Sequence, residues 1–323
     1  MPATPNGLVE YESSQNLFPL EALTSTDNIT FTSNANLWSG KSGFAADVRP
    51  DGVKSGAVMT ATAVNDQINY TTFTAFVNGA DLTVAGSTAT VTRASTDTHV
   101  INSLVCNSAG TVSFVSGAED TAFSETRGAN GGPPFIPIDS IELGQVRTTA
   151  QAVAVILASE IKQGPNSQKE LALQPVFSIM NKDGAVKLVS ALPLIHTGSV
   201  SKTVYAEYYE PEFAEITDSV DFVMPEETAA VNSTQVYGRT VSSASLSLGQ
   251  GSFTALFQNG ITDPILAESG ETLWFRFRPD RFETENHVVQ SVITVTRAFP
   301  ADDNRSGAFT LTALAKGEDR ATL

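Results

Sequence analysis

Apolar and polar positions alternate most cleanly in the last hundred residues. In 251–258, Phe253, Ala255 and Phe257 share one face. In 272–278, Leu273, Phe275 and Phe277 face one way, and Trp274, Arg276 and Arg278 the other. Val289, Ile293 and Val295 repeat the pattern in 287–297, and Phe309, Leu311 and Ala313 in 307–315, where Thr310 and Thr312 oppose them. A period of two marks strands that each bury one face. Between the first two segments, Thr262 or Asp263 is placed to cap a short helix with Pro264 at its first position.

Upstream the strand signal is carried by residue type. Residues 68–77 are β-branched and aromatic and end on Asn78-Gly79, a hairpin signal. Residues 81–85 and 89–93 flank Gly86-Ser87 and predict a second hairpin, and 99–105 with 111–115 a third around Gly110. Residues 128–137 hold Gly and Pro together and exclude both helix interior and central strand. Residues 140–147 read as a strand, and 149–161 lean to strand before Gly164-Pro165. Two apolar runs in 174–194 flank a hairpin loop at Asn181 to Gly184, and 202–209 is a further strand. Residues 211–227, acidic and bounded by proline, read as a linker or surface loop. Residues 1–45 are rich in Pro, Asn, Ser and Thr with isolated apolar anchors, among them Trp38, and read as an extended arm that docks on a neighbour or on its own domain. Short strands with turns at this spacing predict an all-β chain of β-sandwich or barrel domains. The expected division is an N-terminal arm (1–45), a first β domain (46–215) and a second (216–323), with a tandem duplication as one way to fill this length.

Composition narrows the function. The chain has 323 residues, of which 17% are charged, against roughly 25% in an average soluble domain. Its formal net charge is −16. That balance argues against a basic face gripping nucleic acid, because such binding depends on Lys and Arg neutralising phosphates. The lone cysteine, Cys106, lies in an apolar run and is expected to be a buried thiol. The reading finds no export signal and no apolar stretch long enough to span a membrane.

No catalytic constellation stands out, and neither a cofactor nor a metal is expected. Gly40-Lys41-Ser42 resembles the end of a phosphate loop, but Ala35 stands where the first glycine is needed. His99, His196 and His287 are far apart in the chain, and the acidic pairs Glu226-Glu227 and Asp302-Asp303 suit solvated turns. The Trp274, Arg276 and Arg278 face, with Trp38, is the candidate subunit interface, since Trp and Arg concentrate at such contacts.

Several segments together resemble the major tail tube proteins of long-tailed bacteriophages: 36–43 (NLWSGKSG), 123–137 (FSETRGANGGPPFIP), 141–147 (IELGQVR), 192–198 (LPLIHTG) and the closing stretch 291–315. The chain is longer than a simple one-domain tube protein. The resemblance implies a β-sandwich core whose sheets join those of its neighbours in rings. Three chains per ring follow from two tube domains, six from one, and three is the expectation. The rings stack into a virion tail after assembly in the host cytoplasm. Tape measure, terminator and baseplate proteins would be partners, and DNA would pass through without sticking. Other tail rings and a glycan-binding β-sandwich adhesin, using Trp38 or Trp274, are the alternatives.

Overall fold

The computed structural model describes residues 7–34, 37–172, 176–301 and 303–321. Ala35, Asn36, Gln174 and Asp302, which entered the sequence reading, lie outside the described residues, as do residues 1–6. The chain is all-β. Every strand ladder is antiparallel, the strands are spread over several sheets, and none closes into a barrel.

The largest sheet has nine strands, in the order 219–223, 251–256, 306–313, 286–298, 272–278, 8–22, 204–215 and 47–50, with 318–320 joining 286–298 from the side. The four alternating segments of the C-terminal region all lie here. Phe253, Phe275, Phe309, Leu273, Ile293 and Leu311 bury one face together with Val9 and Tyr11. The rings of Phe253 and Phe309 stack 4.6 Å apart. The short helix forms as a single 3-10 stretch, Pro264–Glu268, with Asp263 as N-cap and the proline at its start.

Three expectations are corrected by this sheet. Residues 1–45 are not a separate arm but dock on their own domain, where Leu8–Ala22 is a 15-residue strand of the sheet, pairing with 204–215 along its length and with 272–278 at Leu8 to Tyr11. Residues 211–227 are not a linker. Strand Val204–Glu215 runs through Pro211, which pairs with Gln15. Beyond Glu207 the N-terminal strand is its only ladder partner among the described residues, so the missing prolyl N–H costs no second ladder. Finally, the sheet takes strands from both sides of residue 215, so that position is not a domain boundary.

Residues 52–172 form a lobe inserted between two strands of that sheet. Its three small sheets enclose a core of their own, with Ile68, Phe73, Leu104, Ile141 and Val146 at its centre. Asn78 and Gly79 both take positive φ, 49° and 75°, as a two-residue hairpin of the primed type requires. The expected second hairpin does not form. Strand 80–84 pairs with 73–77, whereas 87–90 pairs with 67–70 in another sheet. Residues 149–161 are mostly irregular and end in a 3-10 turn, Ala158–Glu160. The lobe does not repeat the strand order of the large sheet, so no duplication is visible among the described residues.

The lobe's two chain crossings press against each other. A Cβ at Gly52 would lie 2.3 Å from the Leu171 carbonyl carbon, so only glycine fits there. Arg49 caps the ring of Phe76 at 4.3 Å, and Tyr205 Oη donates to Asn78 Oδ1 at 3.0 Å, tying lobe to sheet.

Candidate assembly surfaces

The four residues expected to meet a neighbouring subunit instead meet each other and the N-terminal strand. Trp38 is 1% exposed and Trp274 3% exposed. The Trp38 ring stacks on Tyr208 at 4.4 Å, its Nε1 donates to Ser33 Oγ at 3.1 Å, and Trp274 Nε1 donates to the Trp38 carbonyl at 3.0 Å. Arg276 Nη2 donates to Glu10 Oε1 at 2.9 Å, and its guanidinium covers the Phe213 ring at 4.2 Å. Arg278 Nε lies 3.2 Å from Glu10 Oε2. Beside them Glu12 is fully buried, accepting from Ser39 Oγ and from the Trp274 backbone N–H. Burial pushes its carboxyl above the ordinary glutamate range, against those hydrogen bonds. This face is interior, so the subunit-interface assignment of Trp38, Trp274, Arg276 and Arg278 is withdrawn.

The cause can be read from the register. Val9 faces Phe277, Glu10 faces Arg276 and Tyr11 faces Phe275. Apolar residues of the N-terminal strand continue the apolar face, and its carboxylates meet the arginines of the other face. The alternation Leu8-Val9-Glu10-Tyr11-Glu12 was the signal that would have identified the strand.

Two other surfaces are left open by the chain. Strands Glu227–Val236 and Arg239–Leu248 form a ten-pair hairpin that belongs to no larger sheet. Its turn exposes Tyr237 fully, and Leu246 is 70% exposed. Glu227 and Arg239 are the only charged residues in 227–248, within a chain of net charge −16. The hairpin is rooted between the neighbours 219–223 and 251–256, at the end of the large sheet. There the second open surface lies. Among the described residues, nothing pairs with the outer edge of Ser219–Val223, and its Val220 and Val223 are half exposed. At the opposite end of the sheet, strand 47–50 meets the lobe through Arg49 and Phe76.

The remaining chemical candidates are tied up locally. Lys41 pairs with Glu268 at 2.7 Å. His99 packs edge-on to Phe123, His196 lies between the Ser201 and Ser140 carbonyls, and His287 contacts Asp319. No cluster of three metal-ligating side chains occurs among the described residues. Cys106 is buried, and desolvation pushes its thiol up to about 11. Among the described residues no helix is long and apolar enough to cross a membrane. No protein-family model matches the chain, and no curated protein matches it.

Proposed function

We propose that this chain is a structural virion protein that polymerises into stacked rings, forming a phage tail tube through which DNA is ejected. The observation that carries this reading is the unsupported hairpin 227–248, rooted beside an open, apolar sheet edge. A two-stranded hairpin alone in water is marginally stable. An exposed edge with valines on it invites another strand. Both liabilities disappear if copies of the chain complete one another. Charge favours the same surfaces. Copies of a strongly acidic chain repel, and the hairpin is the long element with least charge to bring together. Lateral pairing through 219–223 would close a ring, and the hairpin would reach the next ring. Each chain supplies one large sheet, which favours six copies per ring over the three that two tube domains would imply. A lumen of carboxylates and hydroxyls would then offer DNA no counterion-releasing contacts.

The glycan-binding alternative loses its aromatic platform, because Trp38 and Trp274 are enclosed. Negative-stain electron microscopy of the purified chain tests the reading. Rings or tubes are expected, and replacing 228–247 by a two-residue turn should leave single rings or monomers. Tubes that form equally well without the hairpin would rule out its role. A chain that stays monomeric at every concentration would rule out self-assembly itself.

A further inference from the structure

Where the lobe returns to the sheet, an amine and two carboxyl groups are buried together. Lys202 and Glu170 are each 7% exposed and Asp51 is 3% exposed. They come from three segments: the end of strand 47–50, the lobe's last turn and the approach to strand 204–215. Asp51 and Thr203 are joined through their backbones at 3.2 Å, which brings the crossing beside Lys202. The Lys202 Nζ lies 3.9 Å from Glu170 Oε1, too far for a hydrogen bond. Neither Glu170 Oε1 nor Asp51 Oδ1 has a hydrogen-bond partner. A buried ion pair with such poor contact is expensive, and Asp51, which accepts the Asn78 backbone N–H, lies near enough to Lys202 and Glu170 to feel both charges.

The surroundings are arranged for more than a loose ion pair. Glu170 Oε2 accepts the Glu142 backbone N–H at 2.7 Å, which polarises the carboxyl as an oxyanion donor would. Glu142 itself is engaged by Arg127, Ser103 and Gln145. A cleft of about 300 Å³ beside Glu170 and Lys202 gives water a way out. We propose that Lys202 and Glu170 become joined by an intramolecular amide bond, formed by attack of the lysine amine on the glutamate carboxyl with Asp51 relaying the proton. Proximity supplies most of the drive, since the groups are held together by the fold. Burial supplies the rest, because a neutral amide replaces two desolvated charges.

The step balances without any co-reactant. The Lys202 ammonium passes a proton to the Asp51 carboxylate, and the freed lone pair forms the Nζ–Cδ bond. One Glu170 C–O bond breaks. The departing oxygen takes the proton back from Asp51 and a second one from the nitrogen, and leaves as water. One ammonium and one carboxylate become one amide and one water, and Asp51 is restored. Desolvation, and then the Glu170 charge, push Asp51 up to about 7, which suits a group that must both take and give a proton near neutrality. Asp139 and Lys202 also act on Asp51, and Glu142, Lys202 and His196 act on Glu170. The bond would fasten the lobe to the large sheet in a chain whose single cysteine excludes a disulfide.

Intact-mass spectrometry of the folded full chain tests this independently of the assembly reading. The expected mass is one water below that of the sequence, with tryptic peptides containing Lys202 and Glu170 recovered as one branched species. Lys202→Arg should restore the full mass. Asp51-Gly52 can also lose water by forming a succinimide, but that product opens in hydroxylamine and persists in Lys202→Arg. Loss of water that persists in Lys202→Arg would overturn the proposal, as would the full sequence mass in folded wild-type chain. Chain purified under denaturing conditions and then refolded gives the rate. Bond formation should slow as pH falls below about 7, where Asp51 already holds a proton and cannot accept one from Lys202. In Asp51→Asn it should be at least tenfold slower and without that pH dependence. An Asp51→Asn chain that links at the wild-type rate would remove Asp51 from the mechanism.

Discussion

The N-terminal strand and the long hairpin are both polar, both extended and both rich in residues that read as surface, yet one lies in the middle of the largest sheet and the other stands outside every larger one. Leu8–Ala22 has a strand on each side from Leu8 to Tyr11, and its Glu12 is fully buried. The hairpin 227–248 pairs only with itself. Overall polarity does not separate them. What separates them is whether the chain itself supplies complementary side chains. The N-terminal strand presents Glu10 to Arg276 and Arg278, and Val9 and Tyr11 to the phenylalanine face. The hairpin bonds Thr228 to Ser247 across its own strands and leaves Tyr237 and Leu246 exposed. A polar strand is interior when its partners are in the same molecule, and is available for assembly when they are not.

The sharpest way to break this comparison is to remove the charge that holds the N-terminal strand. Glu10→Ala leaves Arg276 and Arg278 largely buried without their carboxylate. Breaking such a pair costs about 3–5 kcal/mol, seen as a fall in the denaturant midpoint with an unchanged slope. Arg276→Ala alone should cost less, because Glu10 retains Arg278. In Glu10→Ala/Arg276→Ala the two effects should be clearly non-additive, as for residues in contact. A loss under about 1 kcal/mol for Glu10→Ala would place the strand with ordinary surface ion pairs and undo the contrast.

A second, smaller effect concerns the seam between lobe and sheet, the other place where charge is buried. In the folded chain Asp51 holds its proton up to about pH 7. Unfolded, an aspartate is ionised above about 3.9. Between those values the folded state carries the extra proton, so Asp51 makes stability fall as pH rises from about 4 to 7. As long as its carboxyl is free, Glu170 is pushed up as well, chiefly by desolvation, and adds to the same slope. Asp51→Asn should flatten this part of the stability–pH curve, measured by urea unfolding across that range. An unchanged slope would mean that Asp51 is hydrated in solution.

The all-β class and most of the C-terminal strands were legible because a period of two needs no knowledge of the rest of the chain. Phe253, Phe275 and Phe309 declared their face by local spacing alone, and Asn78-Gly79 declared its turn. What was hidden depended on pairing at long range. Glu10 meets Arg276 only because residues far apart in sequence share a sheet, and each looks like a surface residue until the other is placed beside it. Trp274 and Arg276 were correctly put on one face, but nothing local told whether a neighbour or the chain's own first strand would cover it. Residues 81–93 failed for a related reason. The turn residues Gly86-Ser87 fit a hairpin, but strands 80–84 and 87–90 each found a stronger partner upstream. Pro211 misled because proline was read as a boundary, when it sits on a stretch of strand with one free side.

The smallest effect on stability should come from the hairpin, the element proposed to carry assembly. Tyr237 lies at the hairpin turn and is fully exposed, and Leu246 is 70% exposed. Substitutions at such sites, away from any core, change stability by about 0.5 kcal/mol or less. Tyr237→Ser with Leu246→Ser should therefore leave the unfolding midpoint of the monomer where it was. If the hairpin finds in another copy what the N-terminal strand finds at home, the same pair of changes should sharply raise the concentration needed for polymerisation, because exposed aromatic and aliphatic anchors carry much of the energy of a contact. Urea unfolding of the monomer reads the first quantity, and sedimentation across a concentration series the second. Unchanged polymerisation would mean that the hairpin is ordered without a partner, and that isolation from the sheet is not what marks an assembly element in this chain.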